Sequence, residues 1–248
     1  MSTIIEVNNL SFEYEKGTPV LENVNTRFNE GRLIAILGKN GSGKSTFLDC
    51  LLGINEYKGC IKIKDKDLKK LSDKELSKMV AFIPQSVQIN IDYQIDEFIS
   101  FGRNPHTTIT GKLDDHDYEI IENSAKRCEI THLLSKCINK VSGGERQLAF
   151  IARALVQETD VIIMDEPTAS LDFGNQQKLF SIINDLVKRG KTIIFTTHNP
   201  NHLINIDCDI FVVKNKAIEK IDKIDNKILK DIYGTEFEEG EKAFLFKL

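Results

Sequence analysis

Leu33-Ile34-Ala35-Ile36-Leu37-Gly38-Lys39-Asn40-Gly41-Ser42-Gly43-Lys44-Ser45-Thr46 is the stretch on which the fold turns. Five apolar residues in a row, without polar alternation, have the pattern of a strand buried on both faces of a sheet. The run stops at Gly38, and beyond the loop Phe47, Leu48, Leu51 and Leu52 recur at helical spacing. Between strand and helix lies G-x-x-x-x-G-K-[ST], a phosphate loop in the structural context that gives the pattern its meaning.

Working outward, apolar runs of the same kind recur at Val80 to Ile83, Val161 to Met164 and Ile193 to Thr196, joined by segments of helical periodicity. A mostly parallel sheet with crossover helices is the economical arrangement, which makes this an α/β protein with a phosphate-loop core. The N-terminal runs Ile4 to Val7, Ser11 to Tyr14 and Val20 to Phe28 are short, β-rich and separated by turn formers, so they predict an antiparallel β subdomain. Between Pro84 and Thr159 helical pattern dominates, notably over Asp114 to Cys128 and Gly143 to Val156. The expected organisation is therefore a core of residues 1–84 and 159–248 with a helical subdomain, 85–158, inserted in it. The tail from Phe211 to Leu248 reads as short strands and one small helix.

Composition narrows the class. At 248 residues, 41% hydrophobic and 28% charged, the chain can bury a full core and has the balance of a soluble globular protein. Its cysteines, Cys50, Cys60, Cys128, Cys137 and Cys208, are odd in number and contain no C-x-x-C pair, which argues against a disulfide framework or a zinc site and fits a reducing cytoplasm. No apolar run approaches the roughly 18 residues of a membrane span. A net charge of -4 gives no basic footprint for nucleic acid, which is not an expected partner. The lysine-rich stretch Lys214 to Lys230 is interleaved with Glu219, Asp222 and Asp225 and reads as a solvated face.

The loop's chemistry follows from its residue types. Gly38, Gly41 and Gly43 let the backbone turn so that N–H groups of the Lys39-Asn40-Gly41-Ser42 segment converge on one point, and the helix N-terminus adds partial positive charge. Lys44 supplies a full charge for the β and γ phosphates of ATP, Ser45 a hydroxyl for Mg²⁺, and Thr46 a contact on the α-phosphate side. Val161-Ile162-Ile163-Met164-Asp165-Glu166 is an apolar strand ending in two acids, where open α/β sheets place ligands. An isolated Asp-Glu pair would be read as solvated acids; with a phosphate loop in the same chain, Asp165 is the expected magnesium partner and Glu166 the group facing the attacking water.

Ser142-Gly143-Gly144-Glu145 opens another helix, whose apolar face is Leu148, Ile151, Ala152 and Leu155. Ser142 and Glu145 make a capping box, but capping does not call for two glycines. Stripping side chains from the first turn exposes N–H groups and creates a second anion site. His198 ends the strand Ile193 to Thr197, before the cap-and-proline helix start Asn199-Pro200, and can donate a hydrogen bond to the γ-phosphate from the sheet's carboxyl edge.

Val141-Ser142-Gly143-Gly144-Glu145-Arg146-Gln147 resembles the signature of ATP-binding cassette (ABC) ATPases, and the phosphate loop, Gln85, Asp165-Glu166, Ser170-Leu171-Asp172 and His198 fall in that family's order over essentially the whole chain. The resemblance implies two copies meeting head to tail, each ATP held by the loop of one and the Ser142-Gly143-Gly144 turn of the other. It implies that Gln85 touches magnesium and water, that Asp172 organises the seam between copies, and that an aromatic stacks on adenine; Tyr14 matches that aromatic, with Phe12 on the same strand face as the alternative. Phe101-Gly102-Arg103-Asn104-Pro105-His106 is similar to a segment of ATPases serving importers of iron chelates, haem, cobalamin and molybdate. Asn175 and Asn199 depart from the His and Asp common in that subgroup. The implied setting is the inner face of the cell membrane, with integral permease subunits as partners and, indirectly, a substrate-binding protein. A soluble ABC ATPase unconnected with transport and an exporter subunit are the alternatives.

Overall fold

The structure is a computed structural model that describes residues 2–85, 92–107, 112–204, 206–235, 237–239 and 244–246, the last two segments by backbone alone. Parts of the expected helical segment (86–91 and 108–111) and of the tail lie outside the described residues. Chain order is β1 (Thr3–Glu15), β2 (Thr18–Asn29), β3 (Leu33–Leu37), α1 (Lys44–Leu51), β4 (Lys58–Ile63), β5 (Lys66–Asp67), α2 (Asp73–Ser77), β6 (Val80–Ile83), α3 (Ile95–Ser100), α4 (Asp115–Arg127), α5 (Gly143–Leu155), β7 (Val161–Met164), α6 (Phe173–Lys188), β8 (Thr192–Thr197), β9 (Asp209–Lys214), β10 (Ala217–Ile221), α7 (Asn226–Tyr233), β11 (Phe237–Glu239) and β12 (Phe244–Phe246). The chain divides into two compact units, Met1–Leu71 with Thr192–Leu248, and Ser72–Lys191. The class is α/β, with parallel strand pairs and a separate antiparallel sheet.

In the first unit β3 is flanked by β8 on one side and β9 on the other, both parallel to it, from Leu33 opposite Ile193 to Leu37 opposite Val212. All five of its residues are buried, which is why the run has no polar alternation. β9 turns back into β10 through Asn215 and Lys216, both at positive φ (48° and 63°), the backbone of a tight two-residue hairpin. Lysines of this region form ion pairs at the surface, Lys214 with Asp231 at 2.6 Å and Lys220 with Asp209 at 3.0 Å, in keeping with a solvated face.

The antiparallel sheet runs β2-β1-β4-β5. The two short strands expected over Ile4 to Tyr14 are one strand with register shifts: Asn9 sits at φ 51°, so the polar pair Asn8-Asn9 makes a bulge rather than a turn. Gly59 on β4 lies against this bulge, where a Cβ would come within 2.4 Å of the Asn9 carbonyl oxygen. Phe28 of β2 packs edge-on against Phe47 of α1 and Phe211 of β9, with centroids 6.2 and 4.9 Å apart, and joins the antiparallel sheet to the phosphate helix.

In the second unit β6 and β7 pair in parallel. Asp114 caps α4 and Ser142 caps α5, each through a complete capping box. The helices are riveted by Gly102-Arg103: an added Cβ at Gly102 would lie 2.2 Å from the Arg153 carbonyl oxygen, so only glycine admits α5 at that distance. Arg103, 4% exposed, donates to Asp117 Oδ1, the Val156 carbonyl and Glu158 Oε2, each at 2.7 Å. Burial alone would raise the Asp117 carboxyl; the Asp114 backbone N–H and the Arg103 guanidinium outweigh it and hold the group below the usual carboxylate range. The chemistry of this segment is thus internal to the unit.

Candidate nucleotide site

α1 begins without a side-chain cap and without an acid in its first turn; Gly43, at φ 102°, occupies the cap position. No side chain therefore closes its first turn. Gly38 is held closely: a Cβ there would lie 2.6 Å from Ser42 Oγ and 3.3 Å from Val213 Cβ. The Lys44 ammonium is buried and donates to the carbonyls of Gly38 at 3.0 Å and Lys39 at 3.3 Å, across the mouth of its own loop. Ser42 Oγ is buried and has no hydrogen-bond partner among the described residues, an orphaned polar atom inside a cationic loop that a polyphosphate fits. Ser45 is exposed, as are Asn40 and Gly41.

Thr46 is buried and its Oγ1 lies 3.2 Å from the Tyr14 hydroxyl, a contact between positions 32 apart that no local pattern announces. Tyr14 and Phe12 meet edge to face at 4.7 Å; Tyr14 is 65% exposed whereas Phe12 is half-buried, so Tyr14 presents the more accessible ring. His198, exposed, follows β8 directly, and its carbonyl accepts from the Tyr233 hydroxyl.

In the second unit Asp165 and Glu166 follow β7, 8% and 7% exposed. Asp165 keeps the sheet geometry, its N–H donating to the Ile83 carbonyl at 2.9 Å. Glu166 turns to φ 42°, left-handed backbone that a non-glycine residue occupies only under constraint. That turn comes two residues after the end of β7 at Met164. Gln85 Nε2 donates to Glu166 Oε2 at 3.4 Å, which brings two of the expected catalytic residues together.

The glycine turn is the capping box read from the sequence: Glu145 N–H donates to Ser142 Oγ at 3.2 Å and Ser142 N–H to Glu145 Oε2 at 2.8 Å. The Ser142 backbone N–H, with the Ser142 hydroxyl, holds the Glu145 carboxyl below its ordinary range. The two glycines differ. A Cβ on Gly144 would fall 2.8 Å from Asn175 Nδ2, whereas one on Gly143 would meet nothing among the described residues closer than Ser170 O at 3.7 Å. Asp172 caps α6 by accepting from Asn175 N–H at 2.8 Å, and Asn175 Nδ2 donates to its other oxygen at 3.2 Å. Asn175, at the position where the subgroup often has His, thus supports Asp172. Phe173 beside it is 76% exposed.

Ser45 in the first unit offers a hydroxyl, and Asp165 and Gln85 in the second offer a carboxylate and an amide oxygen, each a hard oxygen donor of the kind that suits Mg²⁺. No cluster of three or more His, Cys, Asp or Glu occurs among the described residues, so nothing there resembles a closed all-protein cage. No described helix is long and apolar enough to cross a membrane.

The ABC transporter family profile matches residues 21–169. The molybdate import ATP-binding protein MolC of Haemophilus influenzae is 35% identical over 208 residues, 83% of this chain and 77% of its own length. The petrobactin import ATP-binding protein YclP of Bacillus subtilis is 32% identical over 236 residues, 93% of this chain and 92% of its own. Among solved structures, an inward-facing metal-chelate type ABC transporter superposes with a TM-score of 0.83 at 28% identity, covering 99% of this chain and 96% of that one. The chain therefore belongs to the ABC transporter family: it is an ABC transporter ATPase, an ATP-binding subunit.

Proposed function

We propose that two copies of the chain close head to tail around two MgATP, and that hydrolysis of this ATP drives import of a metal chelate or oxyanion through a separate permease. The observation that carries the dimer is Gly143. The described residues of its own chain leave room for a side chain there, so the glycine is explained by something that arrives from outside, and a phosphate held by a second copy's loop fits it. Lys44 and the loop N–H groups of one copy grip the phosphates, Tyr14 stacks on the base, and Ser142, Gly143 and Gly144 of the other copy complete the grip. Asp172 sits at the seam.

Magnesium, when bound, neutralises developing charge on the phosphates; Ser45, Asp165 and Gln85 would hold it. Glu166 orients the attacking water and accepts its proton, with Gln85 fixing one carboxylate oxygen. His198 donates to the γ-phosphate. The segment 85–158 acts as the helical subdomain that carries the glycine turn and passes movement to the permease, and the chain sits peripherally on the inner face of the membrane. A binding protein outside the cell would deliver cargo. The import reading is supported by relatives named for molybdate and petrobactin import.

Glu166→Gln protein tests the closure. Sedimentation velocity should show monomer without nucleotide and dimer at saturating MgATP. A persistent monomer, with or without the permease, would sink the head-to-tail reading. Uptake by vesicles containing the permease, offered molybdate or an iron chelate in turn, tests the cargo class.

A further inference from the structure

His198 belongs to no helix or strand, so its direction is set by contacts to its own backbone and its neighbours. Several converge on it within one unit. The Thr197 carbonyl accepts from the Gly38 N–H at 3.2 Å, which ties this segment to the first residue of the phosphate loop. The Thr197 hydroxyl accepts from the Asn199 N–H at 3.1 Å and lies 2.8 Å from His202 Nδ1. Asn199 Oδ1 accepts from the Asn201 N–H at 3.0 Å, which fixes the amide; its Nδ2 then faces His202 Nε2 at 3.4 Å. That arrangement makes Nε2 the acceptor and Nδ1 the donor to Thr197. On the other side Tyr233, the last residue of α7, donates its hydroxyl to the His198 carbonyl at 2.5 Å, the short end of O–H···O geometry.

α7 is well placed for this. Leu229 and Ile232 are buried, Gly234 ends the helix in left-handed backbone, and Asp231 is paired with Lys214. Asp231 and Ile232 also line a cleft of about 320 Å³ together with Gly41 and Ser42 of the phosphate loop. One short helix therefore borders both the loop that grips phosphate and the segment that carries His198.

We propose that Tyr233 is a positioning residue for ATP hydrolysis: by holding the His198 carbonyl, with Thr197 and Asn199 held through His202, it aims the His198 ring at the γ-phosphate. This rests on the role given to His198 above. Rotation of one peptide plane would swing that ring away while leaving the phosphate loop intact, so the loss should appear in turnover and not in the grip on the α and β phosphates.

The test is a double-mutant cycle on the full chain, with Tyr233→Phe, His198→Ala and the double variant assayed for MgATP turnover, ADP affinity and thermal midpoint. Tyr233→Phe keeps the ring and removes one hydroxyl. Its kcat should fall about three- to tenfold, with ADP affinity and thermal midpoint unchanged, and it should cause no further loss once His198 is Ala. Wild-type turnover in Tyr233→Phe, an equal loss with and without the His198 ring, or a fall in thermal midpoint and ADP affinity together would each overturn the proposal. Wild-type turnover in His198→Ala would instead remove the role of His198 itself, and the proposal with it.

Discussion

Helices α1 and α5 both begin in glycine-rich turns, yet α1 starts at Gly43 with no side-chain cap while α5 starts at Ser142 with a complete capping box. On the proposed head-to-tail arrangement, the difference follows from where each would find its ligand. A loop that grips phosphate within its own chain can do without a side-chain cap and add a cation, Lys44. A turn that acts on a nucleotide held by another copy has to stand alone while that copy is away. The box would supply that stability, and Gly143 would keep the approach clear.

Substitutions test the contrast, and the largest effect should leave both helix starts untouched. Glu166→Gln should lower kcat about 10²- to 10⁴-fold while equilibrium binding of a fluorescent ATP analogue stays near wild type. Lys44→Ala attacks the bare start: loss of a charged hydrogen-bond donor should weaken ATP binding to the monomer about 10- to 100-fold, read by titration. Ser142→Ala attacks the capped start and should cost about 1 kcal/mol of stability, read by denaturant melts, with monomer ATP affinity unchanged. Gly143→Ala separates folding from function, because alanine in the first turn should leave stability equal or higher by up to about 1 kcal/mol while nucleotide-driven dimerisation weakens. If that variant dimerises normally, the open approach at Gly143 has no functional meaning. The smallest effect belongs to Glu145→Gln, within about 0.5 kcal/mol at neutral pH, since glutamine also completes a capping box.

Acid gives Glu145 a second handle. Its carboxyl is held below the ordinary range by the Ser142 N–H, so its contribution is fully present above the unfolded-state value and is lost as pH falls through the lower folded one. The Gln variant should lack that acid-range component, which chemical denaturation at a series of pH values would reveal.

The parts legible in the sequence were those whose signal is local. Leu33 to Thr46 carries strand, loop and helix in 14 consecutive positions, Val161 to Glu166 places two acids at a strand end, and Ser142 and Glu145 announce their cap by spacing. The antiparallel region was read correctly in kind, but the Asn8-Asn9 pair looks the same in sequence whether it turns the chain or bulges it, and pairing with β2 and β4 decides for the bulge. The left-handed backbone of Glu166 left no trace because glutamate is not a residue that advertises positive φ. Arg103 with Asp117 and Glu158, and Tyr233 with His198, are side-chain contacts across 14, 55 and 35 positions. Periodicity carries no information about such pairs; they exist because packing brings the elements together.

Lys44 has a consequence for binding kinetics. Its hydrogen bonds to Gly38 and Lys39 hold the loop in shape through the chain's own atoms. Arrival of a polyphosphate is then an exchange of partners within a preformed mould. The entropy of fixing backbone, about 1–2 kcal/mol for each residue, falls on folding rather than on capture. Capture at such a loop should be fast, sensitive to ionic strength and accompanied by a small heat-capacity change, in contrast to a loop that condenses around its ligand.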